Sequence, residues 1–461
     1  MTPINVDESC PDRLERALHE LTRERDRGDQ LQSLIDHDSE TGLMRRHMLH
    51  RRLNRLIQGD QNQRFAYGII RLDRNYQRIR HSRDRLKVLL YVTAESIKAI
   101  LGDENLYQSD RVDEFLFILP LDKADADIGE TITRMMDTVR EFHNPPASDI
   151  SFGCNVGVAI YPDHGSRLEE LEENAEIALG VHEEVRWGGF LYSPEIGAMY
   201  HENNTLESIL RNGILDGFSG FHVAYQPLVD VGGQIIGCEA LMRWDAPGHG
   251  AVPPTRFIPL AEQSGPIVYL GKWILYQVLG QVKIWRNSLN PRLFASVNMS
   301  LVELEQPDCV EMITIAMNSH GLTGDALQIE VTESAVMENP EAVRSNLLAF
   351  QKMGIRIMLD DFGTGYSSLA VLNTLPVNTL KIAKEIIDDF PADPRSVEIV
   401  RAIMSISETF GFLTLAEGIE KADQHRSLVA AGCHILQGFL FSPPLTALEF
   451  QKRYKAGLAV D

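Results

Sequence analysis

The sequence predicts an α/β protein in two parts: an α+β unit, then a closed barrel of alternating strands and helices. Three observations predict it. From Phe221 onward, short apolar runs recur at intervals of roughly 20 to 60 residues, which suits the strand-helix units of a barrel. Those runs end in acidic, amide or basic residues, which a barrel gathers at one mouth. Before residue 196 the pattern differs: Tyr107 to Phe117 reads as two short strands around the polar turn Asp110 to Asp113, an antiparallel hairpin of an α+β fold.

Residues 1–35 form the lead-in, dense in Arg, Glu and Asp from residue 11, with Leu14, Leu18 and Leu21, then Leu31, Leu34 and Ile35, at helical spacing. The stripe breaks at Arg25 and Gly28, so a short lead-in helix is expected, not a long coiled coil. Such a helix either helps to pair two protomers or is simply solvated. Residues 36–195 hold strands at Ala66 to Leu72, Asn105 to Gln108, Glu114 to Leu119 and Gly153 to Tyr161, with helices over Arg85 to Ile100 and Asp127 to Glu141. Residues 196–214 read as a polar helical connection, and residues 215–461 as the barrel.

In the barrel, Cys238 to Leu241 carries Glu239, Phe294 to Val297 ends at Asn298, and Leu327 to Val331 holds Glu330 with Glu333 just beyond. The run of Ile355, Ile357, Met358 and Leu359 stops at Asp360 and Asp361; Thr379 to Ile382 carries Lys381, Leu413 to Ala416 leads to Glu417, and His434 to Leu436 to Gln437. Adjacent strand residues point to opposite faces, so Asp360 and Asp361 serve one site only if the strand ends there, a bend that Gly363 and Gly365 permit. Taken alone, this is as readily a solvated turn. The other strand ends favour a mouth at which Glu239, Asn298, Glu330, Asp360, Asp361 and Glu417 face each other and offer oxygen ligands to a hard divalent cation.

Composition narrows the partners. Across 461 residues, 44% apolar and 24% charged residues are ordinary for a globular chain, but the formal net charge is -21. That charge argues against a general nucleic-acid or anionic-membrane binder, so an anionic substrate needs metal or local basic groups. No apolar run reaches the length of a membrane span, and the opening MTPINVDESC lacks a basic region followed by an apolar one, so a cytoplasmic location is expected. Cys10, Cys154, Cys238, Cys309 and Cys433 are scattered without CxxC spacing, which points to neither zinc nor a disulfide framework.

Residues 215–461 resemble the EAL domain family of bacterial cyclic di-GMP phosphodiesterases. The resemblance rests on YQPLVD from Tyr225, CEALMRW from Cys238, FIPLAEQSG from Phe257, SVNMS around Asn298, IEVTES around Glu330, LDDFGTGYSS around Asp360, LKIAK around Lys381, AEGIE around Glu417 and LQGFLFSPPL around Gln437. It implies a TIM-like (β/α)8 barrel that hydrolyses cyclic di-GMP to linear pGpG in second-messenger signalling. It further implies that Glu239, Asn298, Glu330 and Asp360 hold one metal ion, and that Asp360, Asp361 and Glu417 hold a second, magnesium or manganese in each case. Lys381 is then expected to orient the attacking water or offset phosphate charge, and Glu333 to order the loop after Asp361. Arg243 is expected to grip a phosphate, with Gln226, Leu241 and Gln437 lining the substrate pocket. Singly, each has a plainer reading: Glu330 or Glu417 as an ion-paired carboxylate, Lys381 as a surface lysine, Arg243 as partner to a neighbouring acid.

Residues 36–195 resemble the GGDEF diguanylate cyclase family more faintly, through DSETGLMRR from Asp38, SDRVDEFLFILP from Ser109 and NVGVAIYPDHG from Asn155. Arg111 and Val112 stand where that family has two glycines, and Arg71 where it has a metal-binding aspartate; only the acidic pair Asp113 and Glu114 is retained. The inhibitory RxxD site is absent from the corresponding residues, Gly102 to Asn105. A cyclase-inactive regulatory or dimerisation module is therefore expected.

One departure touches the barrel. Ala383 stands where the EAL family has an aspartate, two residues from Lys381 and so on the same face. Its loss leaves two readings open: a phosphodiesterase slowed by a missing outer carboxylate, or a cyclic di-GMP receptor that signals to a partner protein through the N-terminal region. The resemblance also implies a homodimer.

Overall fold

The computed structural model describes residues 35–59, 63–72, 83–121, 128–143, 153–180, 188–333, 340–363, 372 and 375–457. The lead-in helix expected over residues 1–35 lies, but for Ile35, outside them. The chain forms two compact units that divide between Glu202 and Asn203, inside the helix Pro194–Leu215.

The first unit is a six-stranded mixed sheet: β1 (Met44–Arg45), β2 (Arg64–Leu72), β3 (Leu106–Gln108), β4 (Glu114–Leu121), β5 (Cys154–Tyr161) and β6 (Gly189–Leu191), in the order β1-β3-β4-β2-β5-β6. Strand β2 runs antiparallel to both β4 and β5, and β3 with β4 makes the expected hairpin. Helices cover both faces, which is why β2 is apolar almost throughout. Alternation sorts its side chains: Ile70, with Phe115 and Phe117, packs on helices Arg83–Leu101 and Ile128–His143, while Ile69, with Leu116 and Ile118, packs on Arg46–Gln58 and Leu168–Gly180. Helix Arg46–Gln58 escapes sequence reading because its apolar stripe is thin; only Leu49 and Leu53 are buried in a run crowded with arginine.

In the second unit, nine strands form a sheet, and all but β9 (Gly250–Val252) close into a ring. The ring comprises β7 (Phe221–Asp230), β8 (Ile235–Ala246), β10 (Phe294–Asn298), β11 (Leu327–Thr332), β12 (Arg356–Phe362), β13 (Thr379–Ile382), β14 (Leu413–Ala416) and β15 (Ile435–Leu436). Pairing of β10 with β8 closes it. The strands from β8 round to β15 are parallel, whereas β7 runs antiparallel to both neighbours. A first strand of this direction departs from uniform strand-helix units. A tight turn replaces the helix: Asp230 Oδ1 accepts from the N–H of Gly232 (2.9 Å) and of Gln234 (2.8 Å), and Gly233 takes φ +77°.

Strand alternation then stacks the barrel's interior. Leu228, Phe294, Met358, Leu415 and Ile435 form an apolar plug inside the ring. Two residues on, on the same face of each strand, stand Ser296, Asp360, Glu417 and Gln437; on β7, which runs the other way, Gln226 precedes Leu228 by two. No helix among the described residues is long and apolar enough to cross a membrane.

Candidate active site

The layer above the plug centres on Lys381. Its Nζ lies 3.0 Å from Glu330 Oε2, 3.1 Å from Glu417 Oε2, 3.3 Å from Asp360 Oδ2 and 3.4 Å from Glu239 Oε2. Lys381, Glu239, Glu330 and Asp360 are all buried. An isolated ammonium could not persist there, because burying an unpaired charge is costly. Burial alone would lower the lysine, but Glu239, Glu330, Asp360 and Glu417 outweigh it and hold the ammonium well above its ordinary value. One cation does not satisfy four acids. Burial, then the Glu239 charge, pushes the Glu330 carboxyl up, and burial also raises Glu417. Glu239 is lowered: burial acts against ionisation, but Lys381, Gln437 and Asn298 overcome it.

Amides hold Glu239 in place. Asn298 Nδ2 donates to Oε1 at 2.9 Å, and Gln437 Nε2 donates to Oε2 at 2.7 Å. Gln437 also reaches Gln226 Oε1 at 3.2 Å, and Gln226 Nε2 donates to the Ser442 carbonyl at 3.4 Å. Both glutamines are buried, and neither is on the wall of the neighbouring cleft; they support Glu239 instead of facing that cleft.

The cleft has a volume of about 710 Å3. Leu241, Arg243, Asn298, Glu330, Asp360 and Asp361 line it, and Ile258, Pro259, Glu262, Ile267, Ile274 and Glu303 are also on its wall. Arg243 Nη1 donates to the Met242 carbonyl at 2.9 Å, and its guanidinium has no carboxylate partner among the described residues. Burial lowers it and Glu239 raises it, with a net lowering.

Asp361 corrects the expected bend. Strand β12 does not end at the two carboxylates but runs to Phe362, with a register slip between Leu359 and Phe362. Asp361 itself makes the bend at φ +55°, a left-handed conformation that aspartate adopts more readily than most residues. Its N–H donates to Asp360 Oδ1 at 2.9 Å, and burial plus the Asp360 charge raises its carboxyl. Gly363 follows at φ +98°, and Gly365 lies outside the described residues. Glu333 is buried, and its Oε2 has no hydrogen-bond partner among them; the loop expected to pack on it, 364–370, is also outside.

The donors suit a hard cation. Glu239, Asn298, Glu330, Asp360, Asp361 and Glu417 offer oxygen ligands, and Glu330 Oε1 is buried without a hydrogen-bond partner among the described residues. In the geometry seen, the acids converge on the ammonium, and among the described residues no three His, Cys, Asp or Glu side chains form a group able to hold a metal ion by themselves.

Sequence reading missed Glu303. The signal was present in Ser300-Leu301-Val302-Glu303, which forms a capping box at the helix Leu301–Leu304. Burial pushes the Glu303 carboxyl up to about 7.

In the first unit, the acidic pair is engaged by arginine. Arg71 and Glu114 face each other across β2 and β4, and Arg71 Nε and Nη2 donate to Glu114 Oε2 at 3.1 and 2.9 Å. Arg71 also pairs with Glu176. Arg111 reaches Asp113 at 3.3 Å, and Ser109 donates to Glu114 at 2.7 Å.

Fold and site together define a closed α/β barrel with a lysine-centred carboxylate site at its mouth. Within that class the chain belongs to the EAL domain family: residues 208–444 match the EAL domain, and residues 35–184 match the diguanylate cyclase GGDEF domain. It is 30% identical over 440 residues to the cyclic di-GMP phosphodiesterase PdeR of Escherichia coli, which covers 95% of this chain and 66% of that protein. It is 32% identical over 424 residues to the bifunctional diguanylate cyclase/cyclic di-GMP phosphodiesterase MucR of Pseudomonas aeruginosa, covering 91% of this chain and 61% of that one. The chain thus spans only part of the length of these relatives. A solved MucR phosphodiesterase in complex with cyclic di-GMP matches 53% of this chain and 99% of its own at 36% identity, with a TM-score of 0.51. The EAL enzyme Bd1971 matches 66% and 81% at 26% identity, with a TM-score of 0.54.

Proposed function

We propose that the barrel is a metal-dependent phosphodiesterase that hydrolyses cyclic di-GMP to linear pGpG. The observation that carries this reading is the ring of Glu239, Glu330, Asp360 and Glu417 around Lys381, beside a cleft on whose wall Arg243 has no ion-paired acid among the described residues. Glu239, Asn298, Glu330 and Asp360 would hold one divalent magnesium or manganese ion, and Asp360, Asp361 and Glu417 a second. When bound, such a pair supplies activation of a water and neutralisation of charge on the departing oxygen. The chain's own groups do the rest. Asn298 and Gln437 fix both oxygens of Glu239, so that acid is oriented before any ligand arrives. Arg243 grips a phosphate oxygen with the side of its fork that the Met242 carbonyl leaves open. Lys381 keeps the acids gathered and offsets charge that builds on phosphorus-bound oxygen. Glu333 orders the loop that follows Asp361. Leu241 packs against the substrate, while Gln226 and Gln437 act on it through Glu239.

The test is single-turnover hydrolysis with magnesium and then manganese, with pGpG as the readout; no pGpG under either metal removes the reading. Ala383 favours one other reading, a receptor that binds without cleaving. Ala383 is buried and sits at the N-terminal flank of the helix Lys384–Asp388 with no side-chain cap. A restored carboxylate could serve the mouth or merely cap that helix. Ala383→Asp is expected to raise the rate or metal affinity by about 10- to 100-fold. A gain of about 1 kcal/mol in stability with no gain in rate would assign it to the cap alone.

The first unit makes no cyclic di-GMP in this reading, because Arg71 and Arg111 already neutralise Asp113 and Glu114. Equilibrium titration with GTP and magnesium is expected to show no binding, and micromolar binding would restore a nucleotide role to that unit. A homodimer, and a protein partner reached through the N-terminal region, belong to the same proposal; sedimentation with and without cyclic di-GMP tests both.

A further inference from the structure

A capping box occupies only one end of its glutamate. The Glu303 side chain has Ser300 as its sole hydrogen-bond partner among the described residues, and the Ser300 N–H donates to Oε2 at 3.0 Å. Oε1 turns toward the helix Ile267–Ser288 at Gly271, where a Cβ would lie 1.6 Å from it. Gly271 thus makes room for a carboxylate that is 6% exposed. Gly271 and Glu303 line the same cleft as Asn298, Glu330 and Asp360, and Ile258, Pro259, Ile267 and Ile274 supply much of its apolar wall. The result is a largely apolar slot, with Thr255 and the Glu262 carboxylate also on its wall, into which the Glu303 acceptor is set.

A largely apolar slot with a buried acceptor fixed by its capping box fits a planar heterocycle that presents donors along one edge. We infer that Glu303 reads the donor edge of a purine seated in this cleft, and so selects guanine over adenine. Guanine offers its ring N–H and exocyclic amino group to one carboxylate. Adenine offers an acceptor nitrogen at the matching place, which the carboxylate repels, and a site built for donors rejects the analogue that lacks them. The inference rests on the cyclic dinucleotide reading above and adds the residue that chooses the base. Burial raises the free carboxyl, and two donors are what hold it ionised at neutral pH.

The test is Glu303→Gln, in which the amide still completes the capping box, so the fold is retained. Apparent affinity is measured for cyclic di-GMP and cyclic di-AMP, as KM where the chain cleaves and as Kd where it binds without cleaving. The expected result is an affinity for cyclic di-GMP about tenfold weaker, kcat within about twofold, and a preference for guanine reduced to a similar extent. Gly271→Ala, which crowds the carboxylate from its place, is expected to act in the same direction. Unchanged affinity and unchanged base preference in both variants would make Glu303 a helix cap and nothing more. A native chain that neither binds nor cleaves cyclic di-GMP overturns this inference together with the function beneath it, whereas native turnover with an indifferent Glu303→Gln overturns this inference alone.

Discussion

Lys381→Met is expected to cost the metal-free protein about 3 to 5 kcal/mol of stability, because it leaves four inward-facing carboxylates without their buried counter-charge. Chemical denaturation in chelator reads this as a lower midpoint. Magnesium or manganese should recover part of the loss, since a divalent cation can take the ammonium's place among the acids. The sign with pH follows from the raised carboxyls. Glu330 and Glu417, held above their ordinary values by burial, favour the folded state when protonated and disfavour it as pH rises through their titration. The deficit of the variant should therefore shrink on acidification. A midpoint identical to the native one in chelator would mean that the acids do not depend on Lys381, and would remove the argument that it organises the site. Hydrolysis should fall in the same variant even where metal restores the fold.

Glu239→Ala is expected to lower single-turnover hydrolysis by about 100- to 1,000-fold or more, with the fold intact. The effect on stability is mixed. The side chains of Asn298 and Gln437 lose their acceptor, at about 1 to 3 kcal/mol for each unsatisfied group, while one of four acids crowding a single ammonium is removed. Glu239→Gln separates the two, because it keeps the shape and discards the charge. If Glu239→Gln cleaves at the native rate, the acid is structural and the cleavage chemistry lies elsewhere. If both variants bind cyclic di-GMP as the native chain does while cleaving none, binding and catalysis have been separated at this residue.

Most of the barrel was legible because the relevant rule is local. Residues two apart on a strand share a face, so an apolar plug residue announces what stands above it: Phe294 leads to Ser296 and then Asn298, Met358 to Asp360, Leu415 to Glu417 and Ile435 to Gln437. Most of the family blocks fall at the same strands, FIPLAEQSG lying instead on the helix Pro254–Ser264, and the hairpin of the first unit follows from its polar turn. The reversed first strand was not legible in this way, since β7 reads like any other strand and only the Asp230 turn betrays its direction.

The sequence by itself determined which polar residues stand at which strand ends, because alternation and turn chemistry act over a few neighbours. The tertiary structure decided what they do to one another. Only closure of the ring brings Lys381 within reach of four acids on other strands, turns Gln226 and Gln437 toward Glu239, and leaves Arg243 without an acidic partner among the described residues. Only helix packing sets Gly271 against Glu303, and only a slip between strands lets Asp361 bend where two glycines were expected to. Each of these is a contact between segments far apart in the chain, fixed by how the units pack, and local periodicity carries no record of it.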